Sequence, residues 1–230
     1  MTTLTSLEST VGHIFTDREL LQQVFIHRSY LNESPDKSLS HNERLEFLGD
    51  AVLELVVTRH LYDEFDEPEG VLTNWRAALV RGAMIATVSE ALGFNDLLLL
   101  SKGEQSSSGK ARGLILANTF EAFVGALYLD GGYDSAAKFI HEYLIVKLPT
   151  ILEQKLHIDP KSQLQEILQT TQSITPTYTV LGESGPDHAK TFTVGVFAKS
   201  KQLATGTGHS KQQAEVDAAH AALAELSATQ

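Results

Sequence analysis

The chain has no cysteine among its 230 residues, which removes disulfide staples, zinc knuckles and thiolate nucleophiles from consideration. Proline is scarce, at 6 residues, and charged residues make up 20% against 42% hydrophobic. Such a composition belongs to a globular chain and excludes a disordered or collagen-like one. No uninterrupted apolar run reaches about 18 residues, and Asp17, Arg18 and Glu19 interrupt the N-terminus before a signal peptide could form. A cytoplasmic protein with no membrane partner is expected. The chain also lacks the excess of lysine and arginine that phosphate contact normally leaves. With 18 basic against 29 acidic residues the formal charge is -11, so charge has to be read locally.

The length leaves room for one large domain, or for one of about 150 residues with a smaller one attached. Residues 1–157 carry 13 Lys/Arg against 22 Asp/Glu, and residues 158–230 carry 5 against 7. The pattern changes at the same point. Before it, apolar residues recur three and four apart over 18–28, 43–62, 72–92, 114–129 and 136–148, which predicts helices and no strand. The polar, glycine-bounded stretch 103–113 (GEQSSSGKARG) reads as a mobile loop. After Asp159-Pro160 come a short helix, three alternating segments and a final helix. Phe192, Val194, Val196 and Ala198 alternate with Thr191, Thr193, Gly195 and Phe197, as in a strand with one face more buried. Ser210 and Gln213 form a capping-box pair opening the last helix. The expected organisation is an all-α domain over 1–152, a linker over 153–158, and a small α+β domain of α-β-β-β-α order over 159–228.

On a helical wheel, Glu43, Glu46, Asp50 and Glu54 share one arc while Leu45, Leu48, Val52, Leu55 and Val56 share the opposite one. Acids at these spacings repel one another by a few tenths of a kcal/mol per neighbouring pair. Two readings remain: a solvated acidic face, or a face that gathers a cation. Phe47 lies on the acidic side, where a monomer would expose it, and suggests insertion into a partner subunit. Gly49 inside the helix costs about 1 kcal/mol relative to Ala and points to close approach by another backbone.

Over 114–129 the chain is apolar nearly all round, with Glu121 its only charge before Asp130. A buried carboxylate needs a partner. Either Arg44 or Arg81 supplies an ion pair, or Glu121 joins Glu46, Asp50 and the amide oxygen of Asn118 as hard ligands for Mg²⁺ or Mn²⁺.

The run His41-Asn42-Glu43-Arg44-Leu45-Glu46-Phe47-Leu48-Gly49-Asp50-Ala51-Val52-Leu53 resembles the signature of the ribonuclease III family, and Leu116-Ala117-Asn118-Thr119-Phe120-Glu121-Ala122 resembles its second acidic motif. Residues 22–30 (QQVFIHRSY) and 76–82 (RAALVRG) fit as well. The resemblance implies an all-helical endonuclease domain, a homodimer, and Mg²⁺-dependent cleavage of double-stranded RNA with no small-molecule cofactor. It implies 5′-phosphate and 3′-hydroxyl products with two-nucleotide 3′ overhangs, as in processing of ribosomal and messenger RNA precursors. By the same resemblance Glu46, Asn118, Glu121 and Asp50 hold metal, Asp50 and Glu121 are catalytic, Glu43 and Glu69 line the processing valley, and Phe47 enters a socket on the other subunit. Asn118 stands where an aspartate is commonest. That departure is the one feature favouring an alternative, a catalytically weakened RNA-binding protein of the same fold.

In the C-terminal segment, Ser162, Gln165, Glu166 and Gln169 fall on one helix face opposite Leu164, Ile167 and Leu168. Short polar side chains there are solvated, or meet 2′-hydroxyls and base edges in an RNA minor groove. Ser210 and Lys211 open the last helix, whose N-terminal amides suit phosphate, and His188 lies in the turn 185–189. The order resembles the double-stranded-RNA-binding domain. Only Lys211 stands where that family commonly carries two or three lysines, which implies modest affinity and shallow salt dependence.

Overall fold

A computed structural model describes residues 2–155, 158–186 and 190–228. The chain forms two compact units, Met1–His157 and Ile158–Gln230. In the first, the described elements are α1 (Leu4–Val11), α2 (Arg18–Val24), α3 (Arg28–Glu33), α4 (Glu43–Glu64), α5 (Glu69–Leu79), α6 (Gly82–Ala91), α7 (Phe94–Leu97), α8 (Lys102–Gln105), α9 (Gly109–Tyr143), a 3₁₀ turn (Ile145–Lys147) and α10 (Leu148–Glu153). No strand forms among the described residues of this unit; a single parallel bridge joins Ile26 and Leu99.

Helix α9 runs through the middle of the unit, with Leu116, Phe120, Phe123, Val124 and Leu127 all buried. The Phe123 ring lies 5.2 Å from that of Phe94 and 5.0 Å from that of Phe139, so the core is stitched by tilted aromatic contacts. Length and hydropathy alone would let residues 109–153 pass for a membrane span, but the most apolar window is 61% buried in the unit. Gly132 interrupts α9 with φ 73° and ψ -174°, a conformation that only glycine adopts readily. Its two arms correspond to the helices expected over 114–129 and 136–148, although the second arm ends at Tyr143.

Several expectations are corrected. The stretch 103–113 is not a continuous loop: α8 and the first turn of α9 occupy most of it. The expected helix over 72–92 starts at Glu69 and breaks at Val80 and Arg81, where Arg81 is extended. The one over 18–28 is two helices, with the His27 ring accepting the Ser29 amide at 3.3 Å to open the second. Helix α1 is opened by a capping box in which the Thr3 hydroxyl accepts the Ser6 amide at 3.1 Å and the Ser6 hydroxyl accepts the Thr3 amide at 2.8 Å. Glu8, 4% exposed, fastens α1 to the chain beyond it by accepting the Phe15 amide at 2.9 Å and pairing with Arg18.

The second unit has the α-β-β-β-α order: α11 (Pro160–Gln172), β1 (Thr177–Ser184), β2 (Thr191–Ala198), β3 (Lys201–Gly208) and α12 (Lys211–Ala228). The strands form one antiparallel sheet in sequence order, with Val180 opposite Val194 and Val194 opposite Gly206. Leu164 and Leu168 of α11, Val196 of β2, and Ala218, Ala219 and Ala222 of α12 make the core. Gly206 lets α12 lie against the sheet: a Cβ there would come within 2.6 Å of the Ala214 carbonyl oxygen.

Candidate active site

Asn42 sets the start of α4 from below. It is 3% exposed, its amide side chain donates to the Val24 carbonyl at 2.8 Å, and its backbone N–H donates to the Ile26 carbonyl at 3.0 Å. The first turn is thereby tied to the end of α2, and the register of every acid that follows is fixed. Leu45, Val52, Leu53 and Val56 go into the core, while Glu43 and Asp50 are exposed and Glu46 is half-buried. Leu55 departs from the wheel reading. It is 56% exposed, and with Phe47 at 83% and Tyr62 at 78% it makes an apolar stripe along the outer side of α4.

The acids of α4 reach those of α9 because the two helices cross on glycines. A Cβ at Gly49 would collide with the Glu121 carbonyl oxygen, and one at Gly125 would collide with the Leu45 carbonyl oxygen. The close backbone approach inferred from Gly49 is therefore that of α9. Since Asp50 adjoins Gly49 and Glu46 lies one turn before, the crossing brings both beside Glu121 and Asn118.

The electrostatics follow from this packing. Burial pushes the Glu121 carboxyl up to about 7, with the nearby charges of Asp50 and then Glu46 acting in the same direction. Burial also raises Glu46, helped by Glu43 and Asp50 and opposed by a hydrogen bond from the Asn118 side chain. No ion pair among the described residues engages Glu46, Asp50 or Glu121. The alternative of Arg44 or Arg81 neutralising Glu121 is not what the structure shows. Four oxygen-bearing side chains thus share one place without a counter-charge.

Among the described residues, no three carboxylates or imidazoles are already gathered into a closed metal shell. The donor set still fits Mg²⁺, which keeps several waters and binds through one or two carboxylates in preference to an all-protein cage. Burial, with uncompensated repulsion added to it, raises Glu46 and Glu121, and a divalent cation would relieve that state.

Other residues named from the sequence sit apart from this group. Glu43 is on its rim, 3.3 Å from the Arg28 guanidinium and 3.8 Å from His41. Glu54, placed on the acidic arc, is paired with Arg76 at 3.0 Å. Glu69 opens α5, accepts the Thr73 hydroxyl at 3.0 Å, and lines a groove of about 760 Å³ with Thr58, Tyr62 and Arg76. Sequence reasoning overlooked Arg28, His41 and Arg76 as partners of acids. The pairs Arg28–Glu43 and Arg76–Glu54 join residues 15 and 22 positions apart, a spacing that no local pattern signals.

In the second unit, Ser162, Gln165, Glu166 and Gln169 are exposed on α11 and, with Thr170, line a shallow cleft of about 290 Å³. They lie opposite the fully buried Leu164 and Leu168, while Ile167 is half-buried. Ser210 accepts the Gln213 amide at 3.2 Å, and the Gln213 side chain accepts the His209 amide at 3.1 Å. The expected capping pair is present, shifted by one residue in its return bond. Lys211 is exposed, with its ammonium 5.9 Å from the centre of the Phe192 ring. His188 lies outside the described residues.

Comparison with known proteins agrees with this layout. A family model described as Ribonuclease-III-like matches residues 17–148, and one described as Double-stranded RNA binding motif matches residues 160–226. The chain is 44% identical over 221 residues to Ribonuclease 3 of Streptococcus thermophilus, covering 96% of each. It is 44% identical over 220 residues to Ribonuclease 3 of Enterococcus faecalis, covering 95% of each. The solved nuclease domain of ribonuclease III from Campylobacter jejuni superposes with a TM-score of 0.58 at 36% identity, over 64% of this chain and 99% of that one. The chain belongs to the ribonuclease III family and is an endoribonuclease acting on double-stranded RNA.

Proposed function

We propose that the chain works as a cytoplasmic homodimer that hydrolyses duplex RNA with Mg²⁺, Mn²⁺ being an alternative ion, at the cluster of Glu46, Asp50, Asn118 and Glu121. The observation that carries this reading is the group of acids at the α4–α9 crossing, which no cation among the described residues neutralises. A bound divalent ion would supply a water of lowered pKa and offset charge on the departing 3′ oxygen. Glu46 and Asn118 would hold it, the first by charge and the second by an amide oxygen that brings none. Asp50 is the exposed acid of the group, so it is placed to orient the attacking water and accept its proton. Glu121, with its carboxyl near neutral, takes up the charged form once a cation is present.

A second copy of the chain fits the stripe of Phe47, Leu55 and Tyr62, apolar side chains left in water on a helix whose opposite side packs into the core. Glu43 and Glu69 would line the valley beside that contact. Each subunit would then cut one strand, leaving 5′-phosphate and 3′-hydroxyl ends with two-nucleotide 3′ overhangs. The substrates we expect are ribosomal and messenger RNA precursors. We take residues 153–158 as the linker between catalytic residues 1–152 and RNA-binding residues 159–228, with the matched spans 17–148 and 160–226 in support. The exposed polar faces of Ser162, Gln165, Glu166 and Gln169, and of Ser210 and Lys211, suit minor-groove and phosphate contact; His188 is proposed from the sequence alone.

The test is a long RNA duplex incubated with the protein with and without Mg²⁺, followed by a 5′-phosphate-dependent exonuclease. Cleavage confined to the Mg²⁺ sample and products digested by the exonuclease are expected. Equal cleavage in the presence of a chelator would refute the metal assignment, and resistant products would refute the end chemistry.

A further inference from the structure

We propose that His60 and His141, completed by Glu64, form a binding site for a divalent transition ion of the Zn²⁺ class, separate from the carboxylate cluster. The two imidazoles come from different elements, α4 and the second arm of α9, yet their rings meet edge to face with centroids 4.9 Å apart and planes at 89°. They open into a cleft of about 300 Å³ that Asp63, Glu64 and Asp134 also line. The contacts of these rings among the described residues are with aromatic neighbours, His60 also meeting Phe65 at 6.2 Å. Among the described residues neither ring makes a hydrogen bond or an ion pair, which leaves their nitrogens to ligands or water.

Glu64 follows His60 by four residues, so the two side chains share one helix face, and the charge of Glu64 is felt at the His60 ring. Asp63 is engaged by Arg59 at 3.3 Å, which leaves Glu64 as the carboxylate on that turn to supply an oxygen. Three ligands are not already gathered. Glu64 is exposed, and a rotamer change of this long side chain would bring it in at small cost. Two imidazoles and one carboxylate suit Zn²⁺, with water as a fourth ligand, and do not suit Mg²⁺, which prefers oxygen throughout. The site lies ten residues beyond Asp50 on α4, about 15 Å along the axis. It is thus a second centre with different chemistry.

Its effect would be to clamp the end of α4 to the arm of α9 that follows the break at Gly132. Those two helices carry the acids of the active site. The bound ion would make the nuclease unit more resistant to unfolding, because a ligand held only by the folded state stabilises it.

Zn²⁺ is titrated into the full chain with Mg²⁺ saturating and no RNA present, and heat release, melting temperature and histidine ring NMR signals are followed. One Zn²⁺ per chain, a raised melting temperature and shifts of both His60 and His141 resonances are expected. His60→Gln and His141→Gln should each weaken binding by about tenfold or more, while Glu64→Gln, at an exposed position, weakens it less. Mg²⁺-dependent duplex cleavage by all three variants without Zn²⁺ should match the parent and shows that they fold. The proposal is overturned if the parent binds no Zn²⁺ at micromolar concentration, if either histidine resonance stays unmoved, or if the histidine variants bind as tightly as the parent.

Discussion

Replacing Gly49 by alanine probes the feature on which the active site depends. In an isolated helix the change would be favourable by about 1 kcal/mol, since alanine is the better helix former. Here the added methyl would meet the Glu121 carbonyl oxygen and crowd the Gly125 backbone nitrogen at 2.8 Å. Backbone on a buried helix cannot swing away as the tip of a side chain can, so α4 and α9 must separate. Overpacking of this kind costs about 1–3 kcal/mol, and a collision with backbone belongs at the upper end. The net expectation is a loss of about 1–2 kcal/mol after the helix-forming gain is subtracted. Activity should fall further than stability. A displacement of about 1 Å between Asp50 with Glu46 and Asn118 with Glu121 is worth about a hundredfold in rate. Urea unfolding gives the first quantity, and single-turnover cleavage at saturating Mg²⁺ gives the second. A Gly49→Ala protein that is more stable by the full helix-forming increment and cleaves at the parent rate would refute the argument that the crossing is closed by glycine.

Phe47→Ala should weaken the dimer, because truncating a Phe seated in a partner costs about 3–5 kcal/mol and symmetry repeats the loss; sedimentation at low micromolar concentration reads it, and an unchanged dimer would mean that Phe47 has no seat in the other subunit. Asn118→Asp should lower the Mg²⁺ concentration for half-maximal cleavage by adding charge at a ligand position, with duplex binding in Ca²⁺ little altered; midpoints unchanged at two pH values would remove Asn118 from the metal site. Glu8 is buried, which by itself raises its carboxyl, but Arg18 and the Phe15 amide bring it below 4.5. Its contribution is therefore present above the unfolded value of 4.5 and lost as pH falls through the lower folded value. Glu8→Gln should lower the melting temperature at pH 7 by an amount equivalent to about 1–3 kcal/mol, and the fall in stability below pH 4.5 should become shallower than in the parent.

The acidic arc of α4, the exposed Phe47 and the close approach at Gly49 were legible because each is a consequence of helical periodicity, which a sequence states directly. The same holds for the α-β-β-β-α order, where the period changes from 3.6 to 2. What escaped the sequence lies in contacts between distant residues and in weak local signals. The serines and glycines of 103–113 argue for a continuous loop, yet α8 and the first turn of α9 leave only 106–108 between them, because the packing of α9 outweighs the low propensity of its first turn. Leu55 falls on the apolar arc of the wheel, at its edge, and reads as core, yet it is 56% exposed because the neighbours that cover Val52 and Val56 do not reach it. The neutralising partners of Glu43 and Glu54 reach them across turns and helices. The His60–His141 contact is likewise invisible in one dimension, since those positions are 81 apart and neither lies in a recognisable motif.

The central claim is that carboxylates at the α4–α9 crossing hold the divalent ion that cuts the duplex, and Glu121→Gln tests it most directly. The substitution keeps the shape of the side chain and removes its charge. Cleavage of a long RNA duplex at saturating Mg²⁺ should drop by at least about a hundredfold, while duplex affinity measured without metal stays that of the parent. A variant that binds normally and cleaves at close to the parent rate would contradict the account.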